Sequence, residues 1–198
     1  MTRYIAFLRA INVGGRVVTM ARLREVFVTL GFRRVETFIA SGNVVFEARA
    51  ADPAALERRI GRALGEALGY EVTTFVRTPA EVAAVVRYEP FPADVLARAA
   101  ALNVGFMAAE PSGVAHQALE ALATPNDRLH VNGRELYWLS ESRQSESKIS
   151  NGVLERAVKA RATFRGINTI RRLDAKLSGG PAAPSHGTAR PRTRTRSS

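Results

Sequence analysis

The same run of elements is written twice along this chain, and that repetition leaves few folds open. Residues 4–8 are continuously apolar, as in a strand covered on both faces. A helix over about residues 20–30 sets Met20, Leu23, Phe27 and Leu30 on one stripe, with Arg22, Arg24 and Glu25 mostly outside. Gly31 ends it. Strands at 35–39 and 44–47 flank Ser41-Gly42-Asn43, the chemistry of a tight hairpin or a bulged turn. Asp52-Pro53 opens a second helix with Leu56, Ile60, Leu64 and Leu68 inside, and Gly69 closes it before a strand at 72–76. The order is β-α-β-β-α-β, a ferredoxin-like arrangement.

Thr78-Pro79 starts a linking helix to about residue 87, and Glu89-Pro90-Phe91-Pro92 breaks the chain. The order then begins again. Residues 102–107 read as a strand, and 112–123 as a helix with Val114, Ala118, Leu119 and Leu122 inside. Strands at 128–131 and 135–139 pair across Asn132-Gly133, a strong hairpin signal. A helix at 150–159 carries Val153, Leu154, Ala157 and Val158. This predicts an α+β protein made of two ferredoxin-like halves, the second a shorter β-α-β-β-α copy, and hence an internal duplication. A last helix over 164–177 is expected to bury Ile167, Ile170, Leu173 and Leu177 and to gather Arg165, Asn168, Thr169 and Arg172 on its other face. The divisions are 1–77 for the first half, 78–100 for the connection, 101–177 for the second half with its helix, and 178–198 for a tail. The tail has no apolar pattern and is expected to be disordered.

The net charge of +11 is unevenly distributed. Residues 143–177 hold nine Lys/Arg against three acids, and 178–198 add four arginines and no acid. A basic final quarter suits anionic partners, nucleic acid among them. Of the 29 basic residues 26 are Arg, which also fits a GC-rich codon bias. Cysteine is absent, excluding disulfides, thiolate metal sites and a cysteine nucleophile. No apolar run has the length of a membrane span, so a cytoplasmic protein without membrane attachment is expected. The three histidines have no ligand spacing, so neither metal nor cofactor is indicated.

Three stretches hold candidate binding chemistry. Asn12-Val13-Gly14-Gly15 follows a strand and precedes a helix, where main-chain N–H groups can meet an anion while Arg9 supplies charge. The loop matches neither the dinucleotide nor the Walker pattern. Ser41 and Asn43 offer a hydroxyl and an amide at a hairpin tip. Ser145-Glu146-Ser147-Lys148 has S-x-x-K spacing without the companion elements of a lactamase-like nucleophile. Arg165 with Asn168 and Thr169 is good chemistry for an oxyanion.

Taken together, 8-LRAINVGG-15, 41-SGNVVF-46, Ser147-Lys148 and 163-TFRGINT-169 resemble a bacterial family called domain of unknown function 1697. The resemblance runs over residues 3–177 and implies two ferredoxin-like repeats, with no established activity, substrate or cofactor. The family's first motif usually reads R-G-I-N-V-G-G, and Ala10 replaces its first glycine here. The late motif resembles T-T-R-N-W-N-T, with Phe164, Gly166 and Ile167 as departures. The expectation is a protein that binds a small anionic, phosphate-bearing ligand between its halves. Arg9, Asn12, Gly14 and Gly15 would form one wall, Ser41 and Asn43 a second, and Lys148, Arg165, Asn168 and Thr169 a third. The alternatives are nucleic-acid binding through the basic C-terminal quarter, and a small transferase or hydrolase acting on an anionic substrate. No catalytic residue and no oligomeric state can be assigned.

Overall fold

In a computed structural model, residues 1–12, 17–39, 42–142 and 147–179 are described. The first half runs β1 (Thr2–Leu8), α1 (Met20–Thr29), β2 (Arg33–Phe38), β3 (Asn43–Ala48), α2 (Pro53–Leu68) and β4 (Thr74–Arg77). Two helices, α3 (Pro79–Arg87) and α4 (Ala93–Arg98), form the connection, where only one was expected. The second half runs β5 (Ala101–Phe106), α5 (Gly113–Glu120), β6 (Asp127–Asn132), β7 (Glu135–Ser140), α6 (Asn151–Val158) and β8 (Thr163–Gly166). The last helix is α7 (Ile167–Leu177). The protein is therefore α+β, with two four-stranded antiparallel sheets ordered β2-β3-β1-β4 and β6-β7-β5-β8.

Local chemistry sets the helix ends. Thr19, Asp52, Thr78, Ser112 and Ser150 each accept a backbone N–H at a helix start, which satisfies donors that the first turn leaves free. Thr78 and Glu81 complete a reciprocal capping box. Gly69 stops α2 in the left-handed region at φ 77°.

Packing follows from alternation along β1. Tyr4, Ala6 and Leu8 face α1 and α2, meeting Leu23, Phe27, Ile60 and Leu64. Ile5 and Phe7 face the other way, onto Val104 and Phe106 of β5. The Phe7 and Phe106 rings stack 3.9 Å apart at the centre of this contact. Helices α3 and α7 add Val82, Val85, Ile170 and Leu173 to the same central core. On the far side of the second sheet, Leu136 and Trp138 pack beneath α5 and α6. The order of layers is thus helices, sheet, sheet, helices, and the two sheets share one interior. No helix among the described residues is long and apolar enough to cross a membrane.

The structure corrects the reading of the second half in two respects: Val114, expected inside α5, is exposed with Ala115 buried in its place, and the half ends in a strand. Residues 163–166 are strand β8, hydrogen-bonded to β5, and not the first turn of the last helix. The second half is a full β-α-β-β-α-β run, not β-α-β-β-α. Two β-favouring residues, Thr163 and Phe164, and a place beside β5 outweigh the helical apolar spacing that begins at Ile167. Phe164 fits because its neighbour across the ladder is Gly105, where a Cβ would stand 2.6 Å from the Phe164 ring. The expectation for the tail lies outside the described residues from 180 onward. Ser178 caps α7.

Candidate functional site

Moving Arg165 from a helix to a strand reverses its surroundings. On β8 it pairs in register with Val104, so it points into the interior between the two sheets. It is 8% exposed. Its Nε donates to Asn43 Oδ1 at 2.7 Å, and Nη1 donates to Thr163 Oγ1 and to the Phe164 carbonyl, both at 2.8 Å. Nη2 donates to the carbonyls of Leu8 at 2.9 Å and Gly42 at 3.5 Å. All five N–H groups of the guanidinium are thereby used, and every acceptor is neutral. Burial pushes the Arg165 pKa down to about 10, which leaves it charged at neutral pH.

A second arginine occupies the corresponding place in the other half. Arg77 of β4 pairs in register with Ile5, as Arg165 pairs with Val104, and it is 0% exposed. Its Nη2 donates to the Met107 carbonyl at 2.8 Å and to the Arg134 carbonyl at 3.4 Å. Its Nη1 donates to the carbonyl of the preceding residue, Val76, at 2.9 Å. Each half thus extends an arginine from its last strand to the end of the other half's first strand. The two ends differ in charge. Where Arg165 meets the Asn43 amide, Arg77 meets the Glu135 carboxylate at 2.7 Å, with Glu57 3.9 Å away. Asn43 and Glu135 are themselves matched in register, opposite Phe7 and Phe106.

Beside Arg165 lies a cleft of about 550 Å³. Its walls are the segment from Leu8 to Asn12, the start of α6 at Asn151, Gly152 and Glu155, and residues 162–165. Arg9 forms a bidentate pair with Glu155, at 2.6 Å from Nε and 2.8 Å from Nη2. Nη1 of Arg9 has no protein acceptor among the described residues. Burial would push the Glu155 carboxyl up, but the bonds from Arg9 and from the Ala162 N–H at 2.8 Å hold it below the ordinary carboxylate range. The Asn12 Oδ1 accepts the Val18 N–H at 2.7 Å.

The backbone around the cleft is unusual. Ala10 and Asn12 sit at φ 60° and 58°, and Ile39 at the neighbouring hairpin at 56°. A β-branched residue in this region is an outlier, and Ala10 occupies a conformation that suits glycine better. Gly42, at φ 73°, lies against Leu8 and Ile11, and a Cβ there would come within 3.1 Å of the Ile11 side chain. Such strain concentrates where a structure holds functional groups.

The sequence-derived candidates divide accordingly. Arg9, Asn12 and Arg165 line this cleft, and Asn43 holds Arg165 from behind. Asn168 and Thr169, at the start of α7, line a different cleft with Arg87, Tyr88 and Asn103. Asn168 accepts from Arg171 at 3.3 Å. Lys148 is exposed and is not part of the cleft wall. Gly14, Gly15 and Ser41 lie outside the described residues. Ser147 donates to the buried Asp127 carboxylate at 2.9 Å, alongside the Trp138 indole N–H, which ties the approach to α6 onto the second sheet. Sequence reasoning missed Glu155 and Arg77. Nothing local marks Glu155 as the partner of a residue 146 positions away. Arg77 did carry a signal, since it shares the parity of the buried Phe75 on β4.

The sequence profile of the family described as "Protein of unknown function (DUF1697)" matches residues 1–137. The chain belongs to this family. The matched stretch contains the first half, with Arg9, Asn12, Asn43 and Arg77, and ends before Ser147 and β8. Among solved structures, the conserved bacterial protein SP0830 from Streptococcus pneumoniae is similar in fold, with a TM-score of 0.70 at 24% identity. The likeness covers 90% of this chain and 99% of that one. No protein of curated function matches the chain.

Proposed function

We propose that the chain is a tandem of two ferredoxin-like halves, and that it binds a small anionic, phosphate-bearing ligand in the cleft beside Arg165. The equal element order and sheet order of the halves support the first statement, and with it an internal duplication. One observation carries the second. Of two matched buried arginines, one is neutralised by carboxylates, while the other is surrounded by neutral acceptors and flanks an open cleft. A buried cation without a counter-ion is costly, and an anion entering the cleft lowers that cost. Arg165 acts on the ligand through its field, since its donors are occupied. Direct hydrogen bonds come from Arg9 Nη1 and from the N-terminal turn of α6 at Asn151–Gly152, where backbone donors and the helix dipole favour negative charge. Gly14, Gly15 and Ser41 stay with this proposal as sequence-derived contributors, as does a cytoplasmic setting.

The test is a thermal-shift and calorimetric series with inorganic phosphate, phosphate monoesters and their neutral parent alcohols. Anions should raise the melting temperature and the alcohols should not. Asn43→Asp should abolish the effect, because it installs beside Arg165 the kind of counter-ion that Glu135 gives Arg77. Equal protection of the Asp variant, or no protection by any anion, would sink the reading.

A further inference from the structure

We infer that the cleft is one end of a longer groove, and that its occupant is a linear polyanion: a small molecule with a chain of two or more phosphate groups. This rests on the anion-binding reading and specifies its ligand class. A second concavity of about 490 Å³ runs along α6 and shares two wall residues, Gly152 and Glu155, with the cleft. Its polar side chains are Arg156, Lys159 and Arg161, all exposed, together with Glu155. The single carboxylate is already engaged by Arg9 and the Ala162 N–H, and Arg161 adds to the positive field that acts on it. Three cations therefore line the extension with no free acid among the residues that form it. Their positive charge outweighs the partial negative charge at the C-terminal end of α6.

Geometry sets the length of the ligand. Gly152 and Lys159 are seven residues apart, which is about 10 Å along a helix. One tetrahedral anion held at the start of α6 sits beside Arg156, whose Nη1 comes within 3.7 Å of a Cβ placed at Gly152, but leaves the charge of Lys159 at the far end of the helix unpaired. A chain of phosphates with a charge on each unit can pair with both. Lys159 itself terminates α6 in the left-handed region at φ 52°, a place where glycine is the common residue. A long cationic side chain there does not ease the left-handed backbone; it complements the helix dipole and adds charge to the groove.

The experiment is calorimetry on the full chain at constant ionic strength without magnesium. The probes are orthophosphate, pyrophosphate, tripolyphosphate, a nucleoside triphosphate and a short single-stranded oligonucleotide. Each exposed ion pair multiplies affinity by roughly two- to three-fold, so tripolyphosphate should bind about ten-fold or more tightly than orthophosphate. The double variant Lys159→Gln/Arg161→Gln should shrink that gain to about two-fold, while circular dichroism reports the same fold. A nucleoside triphosphate that binds more tightly than tripolyphosphate would name a nucleotide as the source of the chain, and equal binding an inorganic one; both support the inference. A flat series from orthophosphate to tripolyphosphate, or a gain that survives in the double variant, overturns it and leaves the anion site standing. An oligonucleotide that outcompetes every small phosphate also overturns it, in favour of nucleic acid. Failure of every probe removes both readings.

Discussion

Replacing Arg165 with methionine should cost the protein about 3 kcal/mol, and the figure can be worked from the geometry. Methionine retains the start of the apolar stem and removes the guanidinium. Four bonds between 2.7 and 2.9 Å disappear. At about 1.5 kcal/mol each, the lower end for charged donors, they amount to about 6 kcal/mol. The variant also escapes the cost of burying a cation. The drop from 12.5 to about 10 in the Arg165 pKa corresponds to about 3 kcal/mol. The difference, about 3 kcal/mol, should lower the melting temperature by roughly 6–12 °C in a chain of this size. Urea unfolding followed through Trp138, which lies under the second sheet, gives the number directly. A double-mutant cycle with Asn43→Ala should return a coupling of about 1 kcal/mol or more, since the two side chains bond at 2.7 Å. A loss below about 1 kcal/mol, or additive single variants, would refute the claim that this arginine ties the halves together.

Other outcomes follow from single sites. Ala10→Gly should stabilise by roughly 0.5 kcal/mol, since relief of the left-handed backbone exceeds the entropy that glycine adds to the unfolded chain; chemical denaturation will show it. Gly105→Ala should destabilise by roughly 2 kcal/mol, because the new methyl meets the Phe164 ring at 2.6 Å and the ring is packed edge-on against Trp138. Glu155 is held below its ordinary pKa of 4.5, so the unfolded chain takes up its proton first as the solution is acidified. Its stabilisation is complete above that value and is lost as pH falls through the lower, folded value. The urea midpoints of wild type and Glu155→Gln should therefore differ at pH 6 and converge as the solution is acidified below the ordinary carboxylate range, and parallel pH profiles would contradict the assignment.

The sequence made the helices and the hairpins legible because their signals are local. Thr78-Pro79, Asp52-Pro53 and Asn132-Gly133 each act within one turn of chain, and each marks an element boundary or turn where expected. The end of the second half was not legible. Phe164 and Arg165 can begin an amphipathic helix as readily as they can end a sheet, and only β5 with its Gly105 decides between the two. The same limit applies to the site. Arg9, Asn12 and Arg165 could be named from their chemistry, but the Glu155 carboxylate that engages Arg9 lies 146 residues away and has no nearby mark. The orientation of Arg165 depended on the strand assignment, so an expected surface cation is a buried one. Asn168 and Thr169 follow it by three and four residues, and with the helix starting at Ile167 they border a separate cleft.

The reciprocal arginines also bear on what a single chain can do that two identical subunits cannot. Each half carries its arm into the partner and receives the partner's arm in return, so neither is complete without the other. Two identical copies of one half would have to place the same residue at both receiving ends. Both arms would then be neutralised, or both left charged. Joining the halves through α3 and α4 removes that restriction. One end can hold Glu135 and pair its arginine with a carboxylate, while the other holds Asn43 and leaves its arginine among neutral acceptors. Asymmetry, and not the fastening itself, is what the covalent link makes possible here.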